Sequence, residues 1–218
     1  MSDTARGADA IRYMVLLKLA SGLRHAMMGD LQTLQFSAEL CVKMLQAGRP
    51  LADVEAHIAS IPSQTEAAAA TVRSIIEWLR PTENAVVPFG DALERCLKLA
   101  GDDWMLRGVT TRVVCTEHAR DTKVSAPIVH EVLVTALLAM VDTHAGALDV
   151  ELHADAADLD VTLMLRGNAA SRSAGMVLPP VYVALSWGDV ETLAALHGIA
   201  CRLDADRFGV ELRFPRRP

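Results

Sequence analysis

Residues 8–47 read ADAIRYMVLLKLASGLRHAMMGDLQTLQFSAELCVKMLQA, a stretch without a proline. Within it Leu16, Ala20, Leu23, Met27, Leu31, Leu34, Ala38, Cys41 and Leu45 recur at steps of three or four, which is the apolar stripe of one α-helix. At about 1.5 Å per residue such a helix is roughly 60 Å long, and in a chain of this size it must lie against another helix or a second subunit. Gly48, Arg49 and Pro50 then end it, with glycine just past the last turn and proline beyond. Leu51–Arg80 is again helical, and Pro62, which lacks an N–H and crowds the preceding turn, predicts a kink or a break. Two helices joined this way form a hairpin. A hairpin cannot enclose a core by itself, so its exposed stripe predicts a homodimer closing as a four-helix bundle.

The pattern changes after Pro81. Thr82–Pro88 reads as a linker, followed by a helix over Asp91–Gly108, a strand over Val109–Thr116 and a strongly apolar helix over Ala126–His144. Leu148–Ala154 and Leu159–Leu165 alternate apolar and polar residues like paired strands, with Asp155–Asp158 as their turn. Gly167–Gly175 reads as a loop of small residues, Val183–His197 as a helix, and Ile199–Leu203 with Val210–Phe214 as a closing hairpin. The predicted class is therefore α+β, with a helical-hairpin domain over 1–81 and an α/β sandwich over 82–218. No internal repeat is present.

Composition narrows the function classes. The 218 residues carry 21 Lys+Arg against 27 Asp+Glu, a formal charge of −6 that argues against nucleic acid, whose binding needs clustered basic charge. Met1–Gly7 is polar, so neither a signal peptide nor a membrane span is expected there, and the expected compartment is the cytoplasm. Cys41, Cys96, Cys115 and Cys201 are scattered, without the spacing of a zinc site or a disulfide frame, and no metal is expected.

His25 stands apart from the other histidines. It lies about 160° around the helix from the stripe at Met27, on the side of Lys18, Ser21, Gly29, Gln32, Glu39 and Lys43, so its imidazole is expected in solvent. An isolated histidine on a polar helix face is ordinarily just a surface residue. His57, His118, His130, His144, His153 and His197 share no spacing with a nucleophile and read as structural or surface residues.

Leu23-Arg24-His25-Ala26-Met27-Met28-Gly29-Asp30-Leu31-Gln32 resembles the phosphoacceptor box of bacterial histidine kinases, with spacing closest to the sporulation-phosphotransferase and citrate-sensor groups. The order of elements after residue 82 is similar to the ATP-binding domain of that family, with His130–His144 resembling its nucleotide-box helix and Gly209–Pro215 its closing strand. The resemblance implies a histidine phosphotransferase with His25 as the catalytic phosphoacceptor, working in a two-component phosphorelay. It also implies response-regulator receiver domains as partners, an upstream hybrid histidine kinase as a further one, and receiver docking at Arg24, Met28, Gly29, Leu31, Gln32 and Gln35.

The same resemblance marks what is missing. Thr135 and Ala139 stand where the family has the asparagines that hold magnesium and phosphate, and alanine has no oxygen to offer. The counterpart of the family's Asp-x-Gly-x-Gly segment is Leu165-Arg166-Gly167-Asn168-Ala169, and no acidic residue lies between Asp160 and Asp189. Ser173-Ala174-Gly175-Met176, followed by Pro179 and Pro180, has too few glycines to wrap a polyphosphate. The expectation is a pseudo-ATPase domain with no nucleotide cofactor, any Mg2+ being supplied by the receiver. Ala26 and Gly29 replace the acid and the amide or hydroxyl residue that serve autophosphorylation and phosphatase activity in the family, so transfer is expected rather than ATP-dependent self-phosphorylation. The alternative is a non-catalytic pseudokinase adaptor that binds a response regulator or kinase without carrying phosphate.

Overall fold

The computed structural model describes residues 3–79, 85–144, 147–157, 160–169, 184–204 and 208–217. The chain forms two compact units, one of Ala20–Pro81 and one of Met1–Leu19 with Thr82–Pro218. The second of these differs from a linear split at residue 81, because the first turns of the long helix belong with the sheet.

Helix α1 spans Asp3–Gln46, one unbroken helix as the stripe predicts, but starting five residues before the expected Ala8. Its end is a Schellman turn: Gly48 N–H donates to Leu45 O at 3.1 Å and Arg49 N–H to Met44 O at 3.0 Å. Gly48 sits at φ 65°, a conformation in which a side chain is strained, so glycine belongs there. The second helical stretch is two helices, α2 over Leu51–Ile58 and α3 over Ile61–Leu79. The break falls just before Pro62, which then lies in the first turn of α3, where a missing N–H costs nothing. Among the described residues of Ala20–Pro81 only Cys41 and Val54 are buried.

In the other unit the elements run β1 (Val86–Pro88), α4 (Phe89–Leu106), β2 (Thr110–Cys115), α5 (Glu117–Asp121), β3 (Lys123–Ser125), α6 (Ala126–Thr143), β4 (Leu148–Ala157), β5 (Asp160–Ala169), α7 (Trp187–Leu196), β6 (Ala200–Leu203) and β7 (Gly209–Pro215). The main sheet has the order β2-β4-β5-β7-β6. Only β2 and β4 are parallel, as the crossover through α5, β3 and α6 requires, and the other pairs are antiparallel. Along β4, Leu148, Val150, Leu152 and Ala154 are buried; on the neighbouring strands Leu163, Leu165, Val210, Leu212 and Phe214 complete the same inner face. Alternate residues such as Asp149, His153, Arg166 and Arg213 face water. Helix α6 lies between α4 and α7, with twelve side chains buried from Ala126 to Val141, which accounts for its mostly apolar sequence. By length and hydropathy alone α6 would also suffice to cross a membrane.

Several expected boundaries shift. Val86–Pro88, expected in a linker, pairs with Lys123–Ser125 as a two-stranded ladder. Asp155–Ala157, expected in a turn, continues β4 as far as the Ala157↔Asp160 pair. Gly167–Ala169, expected in a loop, is the end of β5, where Gly167 N–H donates to Phe208 O at 2.8 Å. Its absent Cβ leaves room for Met140 Sδ, which would lie 3.1 Å away. Helix α7 starts at Trp187, later than expected, because Ser186 and Asp189 form a capping box. The remainder of the expected small-residue loop lies outside the described residues.

Lys18 is the largest departure. Expected on a solvated face, it is 3% exposed, in a buried set with Ala8, Ile11, Val15 and Leu19. Its Nζ pairs with Asp142 Oδ2 at 2.6 Å, and Arg107 pairs with Asp142 Oδ1 at 2.8 Å. Leu185 N–H donates to the same carboxylate at 2.8 Å. Asp142→Asn removes the charge that both cations share and is expected to cost about 3–5 kcal/mol in urea unfolding of the intact chain. Lys18→Met leaves a neutral Asp142–Arg107 pair, and is expected to cost less than Asp142→Asn in the same measurement.

Candidate functional site

Around His25 the geometry follows from the residue lying within one continuous helix, α1. At about 100° per residue, Gly29 and Gln32 fall within about 40° of His25, and Met28 and Gln35 within about 80° of it. Arg24 and Leu31 lie farther round, by about 100° and 120°. His25, Arg24, Gln32 and Gln35 are exposed, as are Met28 at 49% and Leu31 at 54%. Gly29 is half-buried. Among the described residues the His25 imidazole has no hydrogen-bond or ion-pair partner, so a ring nitrogen is open to an incoming electrophile. Gln35 Nε2 donates to Glu39 Oε1 at 2.8 Å, and Thr33 Oγ1 to Gly29 O at 2.9 Å.

The sheet unit offers a different chemistry on α6. Four of its side chains carry oxygen, and each is engaged within the protein. Glu131 accepts from Arg12 Nε and lies 2.7 Å from His197 Nε2. Thr135, 1% exposed, donates to Glu131 O at 2.7 Å. Asp142 is held by Lys18, Arg107 and Leu185 N–H, and Thr143 donates to Ala139 O at 2.8 Å. Ala139 is fully buried. Magnesium with a triphosphate needs several accessible oxygen ligands, and this donor set does not fit that group. Leu165–Ala169, the counterpart of the adenine-reading segment, is an ordinary ladder strand, and Ser173–Pro180 lies outside the described residues.

The remaining reactive groups are quiet. The four cysteines are free thiols, and burial pushes Cys201 up to about 11, with Glu191 adding to the shift. Burial raises Cys115 as well, against a smaller opposing effect of Arg120. No cluster of three or more His, Cys, Asp or Glu suited to a metal occurs among the described residues. His144 stacks on Phe208 with ring centroids 4.4 Å apart, and His197 bridges to Glu131, so these two are structural. The Lys18–Asp142–Arg107 cluster went unread because its members are far apart in sequence. The one available signal was Asp142 itself, an acid near the end of an otherwise apolar helix.

No family profile and no curated protein matches the sequence. Among solved structures, the histidine kinase AdeS of Acinetobacter baumannii is similar at 11% identity, over 88% of this chain and 96% of that one, with a TM-score of 0.44. A histidine kinase from Burkholderia phymatum is similar at 14% identity, over 99% and 98%, again at 0.44. A bacterial phosphotransferase is similar at 15% identity, over 92% and 95%, at 0.38. With likenesses this distant, the functional reading is carried by this chain's own residues.

A Cβ built on Gly29 meets nothing within 4 Å. Gly29→Ala is therefore expected to stabilise the chain by about 0.5–1 kcal/mol through helix propensity, measured by denaturant titration.

Proposed function

We propose that this protein is a histidine phosphotransferase of a two-component phosphorelay, with His25 accepting and returning a phosphoryl group without ATP. The observation that carries the reading is the exposed imidazole of His25 on the long helix, without a partner among the described residues. The oxygen-poor, internally committed α6 supports a chain that draws phosphate from a partner instead of a nucleotide.

In this reading a receiver domain docks over Met28, Gly29, Gln32 and Gln35, with Arg24 and Leu31 at the margin and Mg2+ brought by the receiver. A neutral His25 ring nitrogen attacks the phosphorus of the receiver's aspartyl phosphate in line. The N–P bond forms as the P–O bond to the aspartyl carboxylate breaks, the carboxylate leaves with the bonding electrons, and the single ring proton, on the nitrogen that did not attack, goes to solvent. The reverse step loads a second receiver. Little is asked of the protein beyond an accessible nucleophile and correct docking. An upstream hybrid kinase would feed the first receiver.

The helical unit supports a homodimer. Among its described residues only Cys41 and Val54 are buried, while Leu31, Phe36, Val42, Leu45, Ile58 and Ile76 are exposed apolar side chains without a core to enter. A second copy closing a four-helix bundle supplies one. Phe36→Glu with Leu45→Glu is expected to shift the protein from dimer to monomer in sedimentation equilibrium.

Phosphate transfer tests the central claim. Incubation with a panel of 32P-labelled receiver domains is expected to give acid-labile label on the wild type and none on His25→Ala. ATP alone is expected to give none. Retained receiver binding with no labelling of the wild type would instead identify the adaptor, and labelling by ATP would overturn the reading of α6.

A further inference from the structure

Helix α1 crosses from one compact unit to the other between Leu19 and Ala20, and it stays helical throughout. The arm before the crossing is held. Ala8, Ile11, Val15 and Leu19 are at most 4% exposed, Lys18 is paired with Asp142, and Arg12 is paired with Glu131. The arm after the crossing has no such hold: from Ala20 to Leu40 no described side chain is buried within its own chain. With one arm fixed and the other uncovered, the stiffness of α1 at the crossing depends on its backbone alone.

The helix is weakest at that point. Ser21 and Gly22 follow the crossing directly. Glycine keeps more backbone freedom than any other residue, and it leaves the neighbouring carbonyls open to water when their helical bonds lengthen. A serine hydroxyl competes for the same backbone groups. Sharp helix bends fall mainly at prolines, at Gly/Ser pairs and at π-bulges, and α1 contains no proline. Gly29 differs from Gly22 in its setting. Its flanking residues are uncovered on both sides, so neither arm there is anchored, and Thr33 Oγ1 donates to its carbonyl at 2.9 Å.

We propose that Ser21–Gly22 is a hinge in α1, at which the arm carrying His25 swings against the arm bound to the sheet unit. Lys18 lies about one turn before Gly22 and stays with Asp142, whereas His25 lies about one turn after it and moves with the free arm. The motion gives the exposed imidazole more than one direction of approach, which suits a group that meets its partners in succession. The hinge rests on the helix alone, and its test does not depend on phosphotransfer.

Double electron–electron resonance on the full-length chain measures the bend. Nitroxides are placed on Ala10→Cys and Gln35→Cys, both exposed positions, in a background of Cys115→Ser and Cys201→Ser, with the labelled protein diluted into unlabelled protein. At about 1.5 Å per residue an unbent helix separates the two positions by about 37 Å. A second population displaced by at least about 3 Å is expected, as a bend of roughly 45° midway between the labels requires. Ser21→Ala with Gly22→Ala is expected to abolish that population, and Ser21→Ala alone to reduce it at least about twofold. Gly29→Ala, which makes the same gain in helix propensity, is expected to leave it in place. A single population near the unbent distance, a second population that survives Ser21→Ala with Gly22→Ala, or an equal loss of it in Gly29→Ala would overturn the proposal.

Discussion

One carboxylate holds the sheet unit together at the point where four segments meet. Asp142 takes Lys18 from α1, Arg107 from the end of α4 and the Leu185 N–H ahead of α7, and it is itself carried by α6. Burying such charges is costly, and hydrophobic residues of the same shape would serve stability about as well. What the cluster supplies is discrimination, since none of these groups can be buried in any other arrangement without leaving a charge unpaired. Through Lys18 it ties the first turns of the long helix to α6.

That constraint makes α1 an element of two units. Its first turns, up to Leu19, are counted with the sheet, and from Ala20 onward it is counted with α2 and α3. The two stretches have different needs. The first buries Ala8, Ile11, Val15 and Leu19 within its own chain, whereas the second exposes Leu31, Phe36 and Leu45 and has few internal contacts to make. A helix-forming sequence with two differently used stripes is economical, because backbone hydrogen bonds are satisfied throughout without regard to which face is covered.

The same division of labour is visible on α6. A core helix surrounded by α4, α7 and the sheet can carry polar side chains only where each finds a partner. Glu131, Thr135, Asp142 and Thr143 all do, and apart from His130 the rest of the helix is apolar. At the opposite extreme, on the edge strand β2, Thr111 and Val113 are exposed although their partners in register on β4 are buried. Among the described residues the unit is therefore saturated at its centre, and its main sheet ends in two edge strands, β2 and β6.

Local signals decided much of what was legible. The stripe of α1, the Gly48 stop, the break before Pro62 and the alternation along β4 each depend on neighbours within a few residues, so they can be read from sequence. The exposure of His25 was legible for the same reason, since helix periodicity alone puts it opposite Met27. The short elements β1, α5 and β3 were not, because a three-residue strand forms only where a distant partner such as Lys123–Ser125 is brought to it. Lys18 is the sharpest case: seven residues before His25 and nearly the same in helical phase, it is buried while His25 is exposed. Sequence determined that both belong to one helix and where that helix stops. Only the tertiary structure decided which cation could leave water, because an amine is buried only where a carboxylate from elsewhere in the chain is already waiting for it.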